Sequence, residues 1–210
     1  MRRKIPNKSR AVLIFAKAPE KGRVKTRLAR DMDEGLVVSL YRKLVEQTVE
    51  TVLQTPFLPI ICFSPAEKEQ MVKDWLGRDF SYMVQKGNDL GQRMSAAFEA
   101  AFEKGFSQAV LIGSDIPGIE PDHLAYAFSL LKENDTVVGP AYDGGYWLTG
   151  FNTKSFSPHV FTDIPWSTQH VLARTKERCA ALGMTVGFSA KLRDLDTSGD
   201  LIRLFPHMLR

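Results

Sequence analysis

The feature that most constrains the fold of this chain is its regular alternation of short apolar runs with longer amphipathic segments. The short runs are typical of buried β-strands, and the longer segments carry apolar residues at helical spacing. Strands that alternate with helices favour an α/β fold with a mainly parallel sheet. The predicted strands are residues 11–16, 60–63, 80–84, 109–112, 136–138, 146–149 and 185–188, and the predicted helices are residues 36–53, 66–76, 89–104, 121–131, 167–182 and 198–205.

The predicted domain organisation is a single domain over residues 11–210, preceded by a basic tail, residues 1–10. A chain of 210 residues suits one domain with a sizeable core. The sequence contains no internal repeat, low-complexity segment or convincing linker that would divide it.

The positive charge of the chain is concentrated at one end. The net charge is +4, but residues 1–30 contain eleven Lys and Arg residues and a single acid, Glu20, so the rest of the chain is net negative. Nucleic-acid-binding proteins more often spread their cations along a face. We therefore expect no nucleic-acid partner.

The cysteines and apolar runs indicate a cytoplasmic protein. Cys62 and Cys179 are far apart and have neither metal-type nor redox spacing. The apolar run 11–16 is too short for a secretory signal, and no run approaches the roughly 18 residues of a membrane span. We expect no membrane span.

A cationic loop follows the first predicted strand. It contains Lys17, Lys21, Arg23, Lys25 and Arg27, yet it lacks both the glycine-rich dinucleotide fingerprint and the Walker A sequence. Such a loop would bind phosphates with side-chain cations more than with backbone amides. The alternative is a solvated cationic loop without a ligand.

Acidic residues follow two later strands. Asp115 lies just past the strand 109–112, at the edge of the sheet where open α/β folds bind ligands. It could hold Mg²⁺ or Mn²⁺, or it could cap the turn before Pro117. Asp194 and Asp196 alternate on an extended segment, so that one could face the site while the other makes a structural contact.

Two further motifs combine glycines with aromatic or polar residues. In the stretch 139–147, Asp143 could act as a general base or bind a sugar hydroxyl, although Asp-Gly is also a hairpin signal. Trp166 could stack on a sugar or base, or belong to the core, while Ser167 is a good N-cap for the next helix. Gly91, in the first turns of the helix 89–104, suggests close packing or ligand approach.

Together these motifs resemble a bacterial family within the nucleotide-diphospho-sugar transferase superfamily. The strings that carry the resemblance are FAKAPEKGRVKTRL, QKGNDLGQRM, GSDIP, GPAYDGGYWL, DIPWST and LDTSGDL, from about Ala11 to Leu201. The resemblance implies a glycosyltransferase-A-like fold, a Rossmann-like three-layer sandwich with a mainly parallel, mixed sheet. It also implies a divalent metal, Mg²⁺ or Mn²⁺, and a nucleotide-activated donor.

The resemblance and the motifs together give a set of site residues. Asp115 and Asp196 are the predicted metal ligands. Asp143 is the predicted base, and Lys25 and Arg27 are predicted to neutralise charge on the leaving group. The predicted donor-phosphate residues are Lys17, Arg23, Lys25, Thr26 and Arg27, and the predicted pocket residues are Gly87, Gly91, Arg93, Gly144, Gly145, Tyr146 and Trp166.

We therefore expect a metal-dependent transferase that moves a sugar from a nucleotide-diphospho-sugar to a small-molecule acceptor. The alternative is a nucleotidyltransferase that joins a nucleoside triphosphate to a phosphorylated small molecule, as the related phospholactate guanylyltransferases do. A non-catalytic nucleotide-binding module is the second alternative. The sequence leaves the base, the sugar, the acceptor and the oligomeric state open.

Overall fold

The fold of the chain is given by a computed structural model that describes residues 9–205. The first eight residues of the predicted basic tail, 1–10, lie outside the described residues. The strands are β1 Arg10–Lys17, β2 Leu58–Ser64, β3 Ser81–Val84, β4 Gln108–Gly113, β5 Thr136–Pro140, β6 Tyr146–Asn152 and β7 Val186–Phe188. The helices are α1 Glu34–Leu53, α2 Glu69–Leu76, α3 Leu90–Glu103, α4 Pro121–Leu130, α5 Val171–Ala181 and α6 Ser198–Leu204.

The strands form one mixed sheet in the order β3-β2-β1-β4-β6-β5-β7. Strand β6 pairs antiparallel with both β4 and β5, whereas the other pairings in the sheet are parallel. The carboxyl ends of β1, β2, β3, β4, β5 and β7 therefore lie along one edge, where open α/β sheets bind ligands. The predicted α/β fold with a mainly parallel sheet is confirmed.

Helices cover both faces of this sheet, because alternate residues of the central strands point to opposite sides. In β1, Val12 and Ile14 belong to a core that also contains Tyr41 of α1, Val72 of α2 and Phe128 of α4. Ala11 and Leu13 of the same strand belong to the opposite core, with Phe98 of α3 and Cys179 of α5. The result is the predicted three-layer sandwich.

The start of α5 differs from its prediction. Ser167 was expected to cap a helix from residue 167, but the helix begins at Val171 with His170 at the N-cap. Ser167 has a φ of +65°, outside the extended conformation that an N-cap adopts. Thr168 Oγ1 instead donates to the carbonyl of Pro165 at 2.8 Å, so a turn precedes the helix.

The longest helix among residues 9–205 is α1, with 20 residues. Charged side chains such as Arg42, Lys43 and Glu46 lie along it. Within residues 9–205, no helix combines the length and the apolar character needed to cross a bilayer.

Candidate active site

An ammonium group held between two carboxylates is the centre of the candidate site. Lys25 Nζ lies 2.8 Å from Asp115 Oδ2 and 3.0 Å from Asp196 Oδ1. The Lys25 side chain is only 2% exposed, whereas the side chains of Asp115 and Asp196 are 41% and 36% exposed. The lysine is thus enclosed, and each carboxylate keeps a surface that a ligand can reach.

Three segments bring these side chains together at the carboxyl edge of the sheet. Lys25 lies in the loop after β1, and Asp115 lies two residues after β4. Asp196 precedes α6, and its segment is fixed because the Leu195 N–H donates to the Asp115 carbonyl at 3.1 Å. Leu195 is itself fully buried. Backbone pairing and core packing therefore place the two carboxylates side by side.

The charges in this cluster stabilise one another. Burial disfavours the charged form of Lys25, but the negative charges of Asp115 and Asp196, with their hydrogen bonds, outweigh it and raise the pKa of the lysine. Lys25 is therefore a permanent cation at neutral pH. It also adopts a φ of +47°, a conformation that costs a non-glycine residue about 1–2 kcal/mol, so the surrounding contacts must hold it there.

Asp194 is a third carboxylate near this cluster. Burial raises the pKa of Asp194 to about 6, and the negative charge of Asp143 adds to the shift. The sequence allowed either Asp194 or Asp196 to face the site. Asp196 is the one that contacts Lys25, and Asp194 connects the cluster electrostatically with Asp143.

The other cationic side chains of the loop are open to solvent. Lys17, Arg23, Thr26 and Arg27 are all exposed. Arg27 Nη1 lies 3.7 Å from Asp196 Oδ2 while its side chain remains 62% exposed. Exposed cationic side chains in the same loop as the enclosed Lys25 suit the binding of a multiply charged phosphate group.

Tyr41 of α1 fixes the start of this loop, a role that the sequence analysis missed. Its hydroxyl accepts from the Lys17 N–H at 2.7 Å and donates to the Lys17 carbonyl at 3.2 Å. Burial raises the pKa of Tyr41, and the charge of Asp115 adds to the shift. The neutral hydroxyl thus anchors the point where the chain leaves β1.

The turn between β5 and β6 carries Asp143. Asp143 Oδ1 accepts from the Gly145 N–H at 2.8 Å, so one oxygen of this carboxylate stabilises its own turn. Gly144 has a φ of +91° and lies against the backbone of Gln169. Its carbonyl accepts from the Leu172 N–H at 2.9 Å, which ties the turn to α5.

Several predicted pocket residues pack against one another. A Cβ on Gly91 would lie 2.8 Å from Cζ2 of Trp166 and 2.9 Å from the carbonyl oxygen of Phe161. The rings of Trp166 and Tyr146 meet edge to face at 6.4 Å. Close packing, one of the two explanations considered for Gly91, therefore accounts for it.

Gly87 and Arg93 lie together near the start of α3. Arg93 Nε donates to the Gly87 carbonyl at 3.0 Å. Gly87 has a φ of +137°, and a Cβ there would meet Gln92. The exposed loop 86–89 thus has, at Gly87, a conformation that favours glycine, and the loop follows β3 at the ligand edge of the sheet.

Two carboxylates are the candidate metal ligands. Within residues 9–205 no group of three or more His, Cys, Asp or Glu side chains is arranged to hold a metal ion. Asp115 and Asp196 still fit Mg²⁺ or Mn²⁺, because Mg²⁺ is usually held by one or two carboxylates together with substrate phosphates and water. Each carboxylate has a second oxygen that does not contact Lys25: Asp115 Oδ1 accepts from Ser114 Oγ, and Asp196 Oδ2 faces Arg27.

Comparison with protein families and curated proteins gives one match. A family model described as "Uncharacterized protein conserved in bacteria (DUF2064)" matches residues 48–168. No protein in the curated set matches the chain. The matched range includes Asp115, Asp143 and Trp166, but not the cationic loop.

Solved structures share the fold. A candidate nucleotide-diphospho-sugar transferase from Desulfovibrio desulfuricans G20 is 35% identical, with a TM-score of 0.91 over 96% of this chain and 88% of that one. The inositol-1-phosphate CTP transferase from T. maritima is 13% identical, with a TM-score of 0.58 over 97% and 96%. Rv0371c from Mycobacterium tuberculosis H37Rv, in complex with manganese, is 16% identical, with a TM-score of 0.55 over 94% and 98%. These likenesses confirm the predicted nucleotide-diphospho-sugar transferase fold.

Proposed function

We propose that this chain, which belongs to the bacterial family DUF2064, transfers a sugar from a nucleotide-diphospho-sugar to a small-molecule acceptor. The observation that carries this proposal is the enclosed Lys25 ammonium between Asp115 and Asp196. Beside it lies an exposed cationic loop at the carboxyl edge of the sheet. This combination suits a diphosphate that arrives with a divalent cation.

The cationic loop binds the donor phosphates in this proposal. Lys17, Arg23 and Thr26 contribute from its exposed surface, and Arg27 offers a guanidinium that can grip two phosphate oxygens. Lys25 turns from the carboxylates towards the diphosphate when the donor binds. Lys25 and Arg27 then neutralise the charge that builds on the departing nucleoside diphosphate, an effect often worth several kcal/mol.

Asp115 and Asp196 are the proposed holders of Mg²⁺ or Mn²⁺. The ion, when bound, supplies Lewis-acid stabilisation of the diphosphate oxygens. The manganese complex of Rv0371c lends support by analogy of fold. In the absence of donor and metal, the Lys25 ammonium contacts both carboxylates and compensates their negative charge.

Asp143 is the proposed general base for the acceptor. It takes the proton of the acceptor hydroxyl as that oxygen bonds to the anomeric carbon and the bond from that carbon to the phosphate oxygen breaks. Gly87 and Arg93 are proposed nucleotide contacts. Gly144 and Gly145 shape the turn that holds Asp143. Gly91, Tyr146 and Trp166 support the pocket wall through their mutual packing.

Nucleotidyl transfer is the second candidate, and the position of Asp143 favours it. One oxygen of Asp143 is already occupied by the Gly145 N–H. A phosphorylated acceptor is itself an anion and needs no base, so Asp143 would then only help to bind the substrate. Asp115, Asp196 and the cationic loop would act on a nucleoside triphosphate in the same way as on a diphosphate.

The released product separates the two reactions. We expect purified protein, given Mg²⁺ or Mn²⁺, an acceptor pool and a panel of sugar nucleotides, to release a nucleoside diphosphate. The same protein given nucleoside triphosphates should release no pyrophosphate. Both products can be measured by enzyme-coupled assays, with Asp115→Asn as the inactive control.

Three other outcomes would count against sugar transfer. Release of pyrophosphate from triphosphates would replace it with nucleotidyl transfer. Metal-dependent nucleotide binding without any product would indicate a binding module. Equal release by wild type and Asp115→Asn would show that the measured release does not depend on the proposed site.

A further inference from the structure

A tyrosine held by two cations lies beside the candidate site and has no role in the proposed reaction so far. Tyr142, in the turn after β5, is 53% exposed. Lys191 Nζ lies 4.5 Å from the centre of its ring, and Arg193 Cζ lies 4.4 Å from the same centre. Both distances are well within the range of cation–π contact. Tyr142, Lys191 and Arg193 are called the Tyr142 cluster below.

The two positive charges of the Tyr142 cluster are only partly compensated by ion pairs with acidic side chains. Because both distances end on one ring centre, the two charges lie within about 9 Å of each other, less than one Debye length at 0.1 M salt. Lys191 makes no ion pair with any residue in the range 9–205. Arg193 Nη1 lies 3.8 Å from Asp200 Oδ1, while the other oxygen of Asp200 accepts from Thr197.

The backbone places this cluster next to the Lys25 site. The Leu192 N–H donates to the Pro140 carbonyl at the end of β5, and the Leu195 N–H donates to the Asp115 carbonyl. The chain therefore crosses from the end of β5 to Asp115, two residues after β4, within three residues, a span of about 10 Å at most. Arg193 lies inside that span, and Asp194 follows it. The cluster and the Lys25 site thus occupy neighbouring parts of one edge.

We propose that the Tyr142 cluster is an acceptor subsite that binds an oxyanion, a phosphate or carboxylate group of the acceptor. This inference rests on the proposed function, because it takes the Lys25 site as the donor site. A donor phosphate has its own cations in the loop after β1. Tyr142 directly precedes Asp143, the proposed base for the acceptor, so the cluster lies beside the turn where an acceptor would bind.

The arrangement favours an anion over a stacked base or sugar. The ring of Tyr142 is already in contact with the two cations, so its part is to hold them in place. Cations that are held before the ligand arrives lose less side-chain freedom on binding. The ammonium of Lys191 and the guanidinium of Arg193, which lie 4.5 and 4.4 Å from the same ring centre, provide several N–H donors for an oxyanion. Charge-assisted hydrogen bonds of this kind are the strong ones.

Inorganic phosphate is the probe for this subsite. The full chain is first titrated with magnesium pyrophosphate, which fills the donor site, and then with phosphate, both followed by calorimetry. We expect Lys191→Gln and Tyr142→Leu each to weaken the phosphate affinity about 10-fold or more, the size of one lost charge-assisted hydrogen bond. Tyr142→Phe should bind phosphate like the wild type, because the ring is kept. Lys154→Gln, an exposed lysine after β6, is the matched control for general surface charge.

The two stages of the titration separate the subsite from the proposed function. Wild-type phosphate affinity in Lys191→Gln, or an equal loss in Lys154→Gln, would overturn the subsite and leave the donor site standing. Failure of pyrophosphate to bind, or binding unchanged in Arg27→Gln, would instead contradict the donor site, while the phosphate stage would still report on the cluster. A parallel titration with succinate shows which anion the cluster prefers, since the tighter ligand identifies the acceptor group as phosphate or carboxylate.

Discussion

Lys25→Met should lower kcat/KM for the nucleotide-activated donor by about 100- to 1000-fold, the range seen when one preorganised group that stabilises developing charge is removed. Methionine keeps most of the length of the side chain and loses its charge. Two carboxylates, Asp115 and Asp196, are then left facing each other without the cation that lies 2.8 and 3.0 Å from them. Their repulsion opposes the entry of a diphosphate, and the charge on the leaving group is no longer neutralised.

The test of this prediction is steady-state kinetics with the donor identified by product release, alongside a thermal melt of each variant. Lys25→Arg retains the charge but must fit a larger group into a space where the lysine is 2% exposed, so we expect it to recover only part of the activity. Lys154→Met is the matched surface control and should behave like the wild type. A folded Lys25→Met protein with wild-type kcat/KM would remove Lys25 from the reaction.

Gly144→Ala should destabilise the protein by about 2–5 kcal/mol, the combined cost of a left-handed backbone and an overpacked site. Gly144 has a φ of +91°, which an alanine adopts only with strain. A Cβ there would also collide with the carbonyl oxygen of Gln169 and lie 2.7 Å from its Cα. Because backbone atoms cannot rotate away, the turn that carries Tyr142 and Asp143 must move.

Chemical unfolding in urea measures this effect, and Gly105→Ala is its matched control. Gly105 has a φ of +88°, but nothing lies within 4 Å of a Cβ built on it. The control variant should therefore lose only the stability that the strained backbone conformation costs, about 1–2 kcal/mol. The difference between the two variants isolates the collision with Gln169. Equal losses of stability would mean that the turn accommodates the methyl group.

The fold could be predicted from the sequence because its signals are local. The apolar run 11–16 marks the central strand β1, and the helical spacing of apolar residues marks α1 and its neighbours. Local signals do not give the order of the strands in the sheet. They also do not show that β6 runs antiparallel to its neighbours β4 and β5. The predicted start of α5 was wrong because residues Ser167 and Thr168 form a turn instead of the first turn of a capped helix.

The site was predictable only in part, because its contacts join distant parts of the chain. Charge and position singled out Lys25, Asp115 and Asp196, but the contact between Lys25 and Asp196 joins residues 171 positions apart. Nothing in the sequence indicated that the hydroxyl of Tyr41 holds the backbone of Lys17. Such contacts depend on the packed arrangement of elements, which the spacing of residues does not encode.

The packing of Gly91 against Trp166 shows the same limit. Both residues were singled out from the sequence: Gly91 because glycine weakens a helix, and Trp166 because its aromatic ring could stack on a ligand. Their direct contact appears only when α3 and the loop before α5 come together on one face of the sheet. A glycine that suggests ligand approach can therefore equally mark a large neighbouring side chain.

The central claim is that Asp115, Asp196 and Lys25 form one site for a diphosphate and its metal ion. Calorimetric titration with inorganic pyrophosphate, with and without Mg²⁺, tests it without knowledge of the base or sugar. We expect the wild type to bind pyrophosphate at least about 10-fold more tightly with Mg²⁺ than without. One additional charge-assisted contact has an effect of this size on affinity. In Asp115→Asn this Mg²⁺ dependence should disappear, while the exposed control Asp79→Asn retains it. An Asp115→Asn protein that keeps the full Mg²⁺ dependence would contradict the assignment of the site.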